Sequence, residues 1–193
     1  MLLLLDAQAM GRLLPRSTKR LMLRRFHQAD FADYASYHGR EDVYRFLYRH
    51  PPQGAEMRRQ FEEAVESIVT KEEDSFHFAV ERQADGRLLG EVLLKLTSAE
   101  ALQAELGYVI HPDFAGHGYG YEATAAVVDL GFREVGLHRI FARLDPRNAD
   151  SLRLVQRLGF RREAHLIESD RFNGRWGDEF IYALLDREWL ERS

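Results

Sequence analysis

The sequence predicts a mixed α/β fold: a central sheet, mostly antiparallel, with helices on its faces. Three observations carry this. Asp85-Gly86 and Asn173-Gly174 are hairpin signals set between strand-like runs, so neighbouring strands reverse direction there. Segments with helical spacing interrupt the strands. One β-α-β crossover, from the strand ending at Ile110 through a helix to the strand opening at Arg139, supplies a parallel pair.

In chain order, Lys19 to Arg25 (KRLMLRR) reads as the first strand, and Asp30 as the N-cap of a short aromatic helix through Tyr34 and Tyr37. Tyr44, Phe46 and Tyr48 continue the aromatic stretch until Pro51 and Pro52 break it. Met57, Phe61, Ala64, Val65, Ile68 and Val69 recur at helical spacing, which predicts a helix over 54–71. Ser75 to Glu81 alternates, Leu88 to Leu96 returns as its partner strand, and Ala104 to Ile110 is the third member. Residues 118–134 are helical, Arg139 to Leu144 a strand, and Ala149 to Leu158 a helix. Phe160 to Ser169 and Glu179 to Leu185 close the sheet.

At 193 residues, without repeats, low-complexity linkers or a composition break, the chain reads as one domain over 17–193 preceded by an extension, 1–16. The leucines of MLLLLDAQAM are too short a run for a signal sequence or membrane span and lack basic residues before them, so they read as a short cap or frayed tail. A formal charge of −4 argues against nucleic-acid binding through a broad basic surface. There is no cysteine, which excludes disulfides, thiolate metal sites and cysteine nucleophiles and fits a cytoplasmic setting. His77, His111, His138 and His165 show no metal-ligand spacing, so no metal is expected.

The chemistry concentrates in Glu105 to Ala123, ELGYVIHPDFAGHGYGYEA. A strand runs into Pro112 and then into Gly116, Gly118 and Gly120, which open directly into a helix. Backbone amides at a helix N-terminus, freed of Cβ atoms, form a cradle for phosphate or pyrophosphate. Gly118-x-Gly120-x-x-Ala123, with Asp145 at the end of the next strand, formally satisfies the dinucleotide fingerprint. Hairpin-linked strands leading into it count against that reading, and no Gly-Lys-Ser/Thr follows to make a Walker loop.

A second motif, Asn148-Ala149-Asp150-Ser151 followed by Leu158-Gly159-Phe160, decides between them. With these residues the sequence resembles the GNAT superfamily of acetyl-CoA-dependent N-acetyltransferases over about residues 17–187. The superfamily's pyrophosphate loop is similar to Ala115–Ala123, with Ala115 standing where Gln or Arg is usual. TKRLMLRRF, Glu105-Leu106-Gly107-Tyr108 and the Asn-Gly-x-Trp-x-Asp segment at 173–178 resemble the ribosomal-protein Nα-acetyltransferase (Rim-type) branch.

The resemblance implies an acyl-CoA N-acetyltransferase fold and direct transfer from acetyl-CoA to a primary amine, on a small molecule or a protein N-terminus. It implies that the amides of His117, Gly118, Tyr119 and Gly120 hold the pyrophosphate. The backbone of Tyr108, Val109 and Ile110 would receive the pantetheine arm, with an N–H near Val109 on the thioester oxygen. Asn148 would bond that arm or order the helix start. The tyrosine acid of many members falls here on Val155, so Ser151 inherits the donor role at the sulfur, directly or through water. Asp170 and Glu105 are the two candidate bases, and either could instead sit in a structural ion pair. The acceptor would lie between Tyr34–Tyr48 and a turn carrying Phe172 and Trp176. A homodimer is compatible with the resemblance. A non-catalytic acyl-CoA sensor and a dinucleotide-binding oxidoreductase stay as alternatives.

Overall fold

Alternating apolar residues lay eight strands in one sheet, seen in a computed structural model that describes residues 11–192. The strands are β1 (Arg16–Ser17), β2 (Leu21–Arg24), β3 (Ser75–Arg82), β4 (Leu88–Ser98), β5 (Gln103–Ile110), β6 (Arg139–Leu144), β7 (Arg161–Phe172) and β8 (Arg175–Leu185). Their order is β1-β2-β3-β4-β5-β6-β8-β7, and every neighbouring pair is antiparallel except β5 with β6. The expected mixed sheet is therefore present. The boundary drawn at residue 17 falls inside β1, and Leu14 before it is buried in the core. The leucine run at the N-terminus lies outside the described residues.

The helices beside the sheet include, among the described residues, α1 (Phe31–His38), α2 (Glu41–Tyr44), α3 (Gly54–Val65), α4 (Tyr119–Leu130), α5 (Ala149–Leu158) and α6 (Asp186–Leu190). Strand alternation divides the side chains between two cores. Phe76, Phe78, Val92, Leu94 and Leu106 pack with α4 and α5 through Val127, Leu130, Val155 and Leu158. On the other face, Ala79 and Leu88 meet Phe26, Tyr34, Tyr37, Met57 and Phe61 of the α1–α3 layer.

Two helices end differently from their sequence pattern. The helix expected over 54–71 stops at Val65, because the Ser67 hydroxyl bonds the Ala64 carbonyl at 2.8 Å and accepts the His77 amide at 3.1 Å. Val69, which carried the helical spacing onward, instead packs into the α4-side core. After Leu130, α4 continues as a π-helical turn, Gly131–Val135, closed by Gly136.

Candidate active site

The site begins where β5 and β6 part. They pair in parallel only over Gln103↔Arg139, Ala104↔Ile140 and Glu105↔Phe141. Beyond this seam β5 keeps its ladder with β4 as far as Ile110, and β6 keeps its ladder with β8 as far as Leu144. A V-shaped gap therefore opens between two strands that each retain one partner.

Register decides which backbone groups face that gap. The His111 amide donates to the Leu89 carbonyl at 2.8 Å, and the Val109 carbonyl lies 2.1 Å from where a Cβ on Gly90 would stand. Strand alternation thus turns the backbone of residues 105, 107, 109 and 111 to β4, that of Ala104 and the Leu106 amide to the seam with β6, and that of Tyr108 and Ile110 to the gap. This narrows the expected N–H near Val109. The Val109 N–H itself faces β4, whereas the amides and carbonyls of its neighbours Tyr108 and Ile110 have no strand partner on that side among the described residues.

At the wide end of the gap, Gly118 caps α4 with φ +78°, a left-handed conformation that costs glycine nothing and other residues about 1 kcal/mol or more. Among the described residues the backbone amides of His117, Gly118, Tyr119, Gly120 and Tyr121 have no hydrogen-bond partner within the protein. They are the orphan donors of a helix start, aimed outward. Arg20 holds the loop: it donates to the His117 carbonyl at 2.9 Å and to Glu122 at 2.7 Å, while Thr18 donates to the same carboxylate at 2.6 Å. The His117 ring is exposed and bonds the Ala115 carbonyl at 2.8 Å, a loop-ordering contact. A diphosphate fits this cradle, and sequence reasoning missed its clamp because Arg20 is about a hundred residues away.

Asn148 is the N-cap of α5, its side-chain oxygen accepting the Ser151 amide at 3.2 Å. Ser151 is half-buried, and the Tyr108 hydroxyl donates to its carbonyl at 3.3 Å. Burial pushes the Tyr108 phenol up to about 12, against the opposing hydrogen bond, so it stays a donor at neutral pH. The sequence motif points to the Tyr108 backbone alone, and the hydroxyl contact with α5 appears only in the fold.

The two carboxylates differ in surroundings. Glu105 is half-buried and, among the described residues, its carboxylate makes no hydrogen bond or ion pair. Burial raises its carboxyl above the ordinary 4.5, with Glu179 and Glu73 adding to the rise and Arg143 and Lys95 opposing it. Asp170 sits on β7 opposite Gly177 and accepts the Arg171 amide at 2.7 Å. Arg143, hydrogen-bonded to Glu179 at 2.9 Å, lies in the field of both Glu105 and Asp170. No hydrogen bond or ion pair among the described residues joins Ser151 to either carboxylate.

Glu91, opposite Val109, is buried between His38 and His77, each 3.1 Å away, and Tyr44 bonds the second nitrogen of His38 at 2.7 Å. Burial works to raise the Glu91 carboxyl, but the two imidazoles overcome it and hold the group well below the usual carboxylate range. This cluster ties α1 and α2 to the sheet under the gap.

Asp145, one residue beyond β6, accepts from Tyr48 at 2.8 Å and from the Arg147 amide at 2.7 Å, and it pairs with the Arg147 guanidinium. A carboxylate so engaged, with its side chain fully buried, has no capacity for a ribose, which removes the residue that favoured a dinucleotide. Tyr48 crosses Gly177 so closely that a Cβ there would stand 2.1 Å from its hydroxyl. Beside it is a cavity of about 410 Å³, lined by Arg45, Tyr48, Arg147, Phe172, Arg175 and Trp176. The aromatic segment and the hairpin turn do meet here, as expected.

Among the described residues no helix is long and apolar enough to cross a membrane, and no group of three His, Cys, Asp or Glu is placed to hold a metal. A family model for an acetyltransferase (GNAT) domain matches residues 20–161. The uncharacterized N-acetyltransferase YnaD of Bacillus subtilis is 30% identical over 175 residues, 90% of this chain and 98% of that protein. A spermidine N(1)-acetyltransferase of Vibrio cholerae serotype O1 is 30% identical over 141 residues, 69% of this chain and 82% of that one. Among solved structures, a GNAT-family acetyltransferase from Bacillus anthracis superposes with a TM-score of 0.79 at 25% identity, covering 96% of this chain and all of that one.

Proposed function

The chain belongs to the GNAT acetyltransferase family and is an acetyl-CoA-dependent acyltransferase, and on that premise we propose how its own residues perform the transfer. The observation that carries the proposal is the gap between β5 and β6, with outward amides at its mouth and unpaired backbone along one wall. The amides of His117, Gly118, Tyr119 and Gly120 hold the diphosphate of acetyl-CoA, assisted by the α4 dipole. Tyr108 and Ile110 pair with the pantetheine amides as an added strand would. One of their gap-facing N–H groups, either side of Val109, takes the thioester oxygen.

The amine of the acceptor loses a proton to a carboxylate and attacks the thioester carbonyl. A C–N bond forms, the negative charge passes to the oxygen, and the C–S bond then breaks. The leaving sulfur takes a proton from the Ser151 hydroxyl, directly or through water, and the serine is reprotonated from solvent. Glu105 is the better base: it is half-buried, without a partner, and raised toward neutrality. Asp170 is shorter and already engaged by the Arg171 amide, so its contribution goes through water. Asn148 sets Ser151 by capping α5.

The catalytic domain of this reading is 17–193, with 1–16 an extension, in a cytoplasmic setting. Glu105–Tyr108 and Asn173–Asp178 support a place near the ribosomal-protein Nα-acetyltransferase branch, whose acceptor is a protein N-terminal amine. Likeness to the spermidine acetyltransferase favours a second reading, a polyamine acceptor. A thiol-release assay with acetyl-CoA over a panel of amines tests the reaction. Ser151→Ala is expected to lower kcat about 10²-fold. Unchanged turnover would remove Ser151 from the proton path, and CoA binding without turnover on any amine would favour the sensor.

A further inference from the structure

The cavity beside Tyr48 is cationic, although the chain as a whole is formally −4. Its acids are spent inside the protein. Asp145 is buried under Arg147 and Tyr48, and Asp178 accepts from the Glu168 amide at 2.9 Å and the His165 ring at 2.7 Å. Of its arginines, Arg147 is paired with Asp145, and the other two are not spent. Arg45 and Arg175 are exposed and, among the described residues, have no ion-pair partner. Arg171 on the adjoining strand stacks over Trp176 at 5.2 Å and likewise has no acid partner.

Flat apolar surface accompanies this charge. Trp176 is 57% exposed, Phe172 packs against His50, and Tyr48 completes the wall. An exposed tryptophan beside guanidinium groups without acids is poor use of surface unless a planar, negatively charged group settles there. Because Asp145 directly follows β6, the cavity lies at the open end of the gap, next to the start of α5 where Ser151 stands.

We infer that the acceptor is an amine whose body carries an oxyanion, carboxylate or phosphate, next to a planar group, bound by Arg45 and Arg175 and stacked on Trp176. This rests on the acetyl-transfer reading and specifies its substrate class. Guanidinium forks suit both oxyanions, and the partly enclosed wall strengthens the contact. A polycation such as spermidine meets like charge at the same mouth.

Matched amines test this in the full-length protein. Tyramine and tyramine phosphate share one amine and differ by the oxyanion, as do phenethylamine and 4-(2-aminoethyl)benzoate; spermidine is the polycationic arm. A peptide with an acidic second residue, against its neutral counterpart, separates a protein acceptor from a small one. The oxyanion-bearing member of each small-molecule pair is expected to have a kcat/KM about ten-fold or more higher, the preference shrinking as salt is raised. Arg175→Glu is expected to abolish or invert that ratio. Equal ratios, or a preference for spermidine, overturn the inference while leaving acetyl transfer standing.

A second measurement does not depend on turnover. Phenyl phosphate, titrated by tryptophan emission, is expected to alter the signal in the native chain and not in Arg175→Glu. If no amine is acetylated but phenyl phosphate binds, the cationic site stands and the transfer reading fails. If phenyl phosphate leaves the native signal unchanged, the inference fails whatever the enzyme does.

Discussion

Glu105 sits where burial and two cations pull its proton in opposite senses, and burial prevails. A base must be ionised to act, so a carboxyl raised above 4.5 loses activity as pH falls through the raised value. The acid limb of kcat/KM is expected above the ordinary glutamate value. In Glu105→Gln that limb should vanish and kcat fall about 10²-fold, whereas Asp170→Asn should keep the limb. A pH–rate profile of the three proteins decides it; an unchanged limb in Glu105→Gln would pass the base to Asp170. The cap formed by Asn148 and the left-handed turn at Gly118 were legible from the motifs that name them. Arg20 and Arg143 were not, because each acts through a partner brought near only by folding: Glu122 for one, Glu179 for the other.

Elements read well wherever periodicity and turn chemistry agree. The two hairpins close as Asp85-Gly86 and Asn173-Gly174 require, and α5 starts and stops within the expected residues because Asn148 caps one end and Gly159, at φ +89°, the other. Asn148→Ala should cost about 1 kcal/mol of stability, read by urea denaturation, with Ser151 less firmly placed as a result. No change in midpoint would mean that packing of Val155 and Leu158 alone fixes the helix. Sheet order was less legible. Sequence adjacency cannot say that β8, and not β7, lies against β6, and it cannot give the phase of β5. That phase, set by the pairing of Gly90 with Ile110, picks out Tyr108 and Ile110 from the Tyr108–Ile110 segment as the gap-facing residues.

For the whole molecule, one fold-level test separates the surviving reading from the dinucleotide one. Coenzyme A at 100 times its dissociation constant should raise stability by about 2.7 kcal/mol, visible as a shift in melting temperature. NADH should give no shift, and the reverse pattern would return the glycine loop to a dinucleotide. The architecture behind that test has a mechanical consequence. Five strands stand on one side of the seam and three on the other, fastened along it by only three residue pairings. The opening beyond this short spine leaves every antiparallel ladder whole, while one core runs beneath both panels through Leu94, Leu106, Ile140 and Leu184. A long, flexible substrate can then be threaded into an aperture that folding has already made, with no strand unzipped.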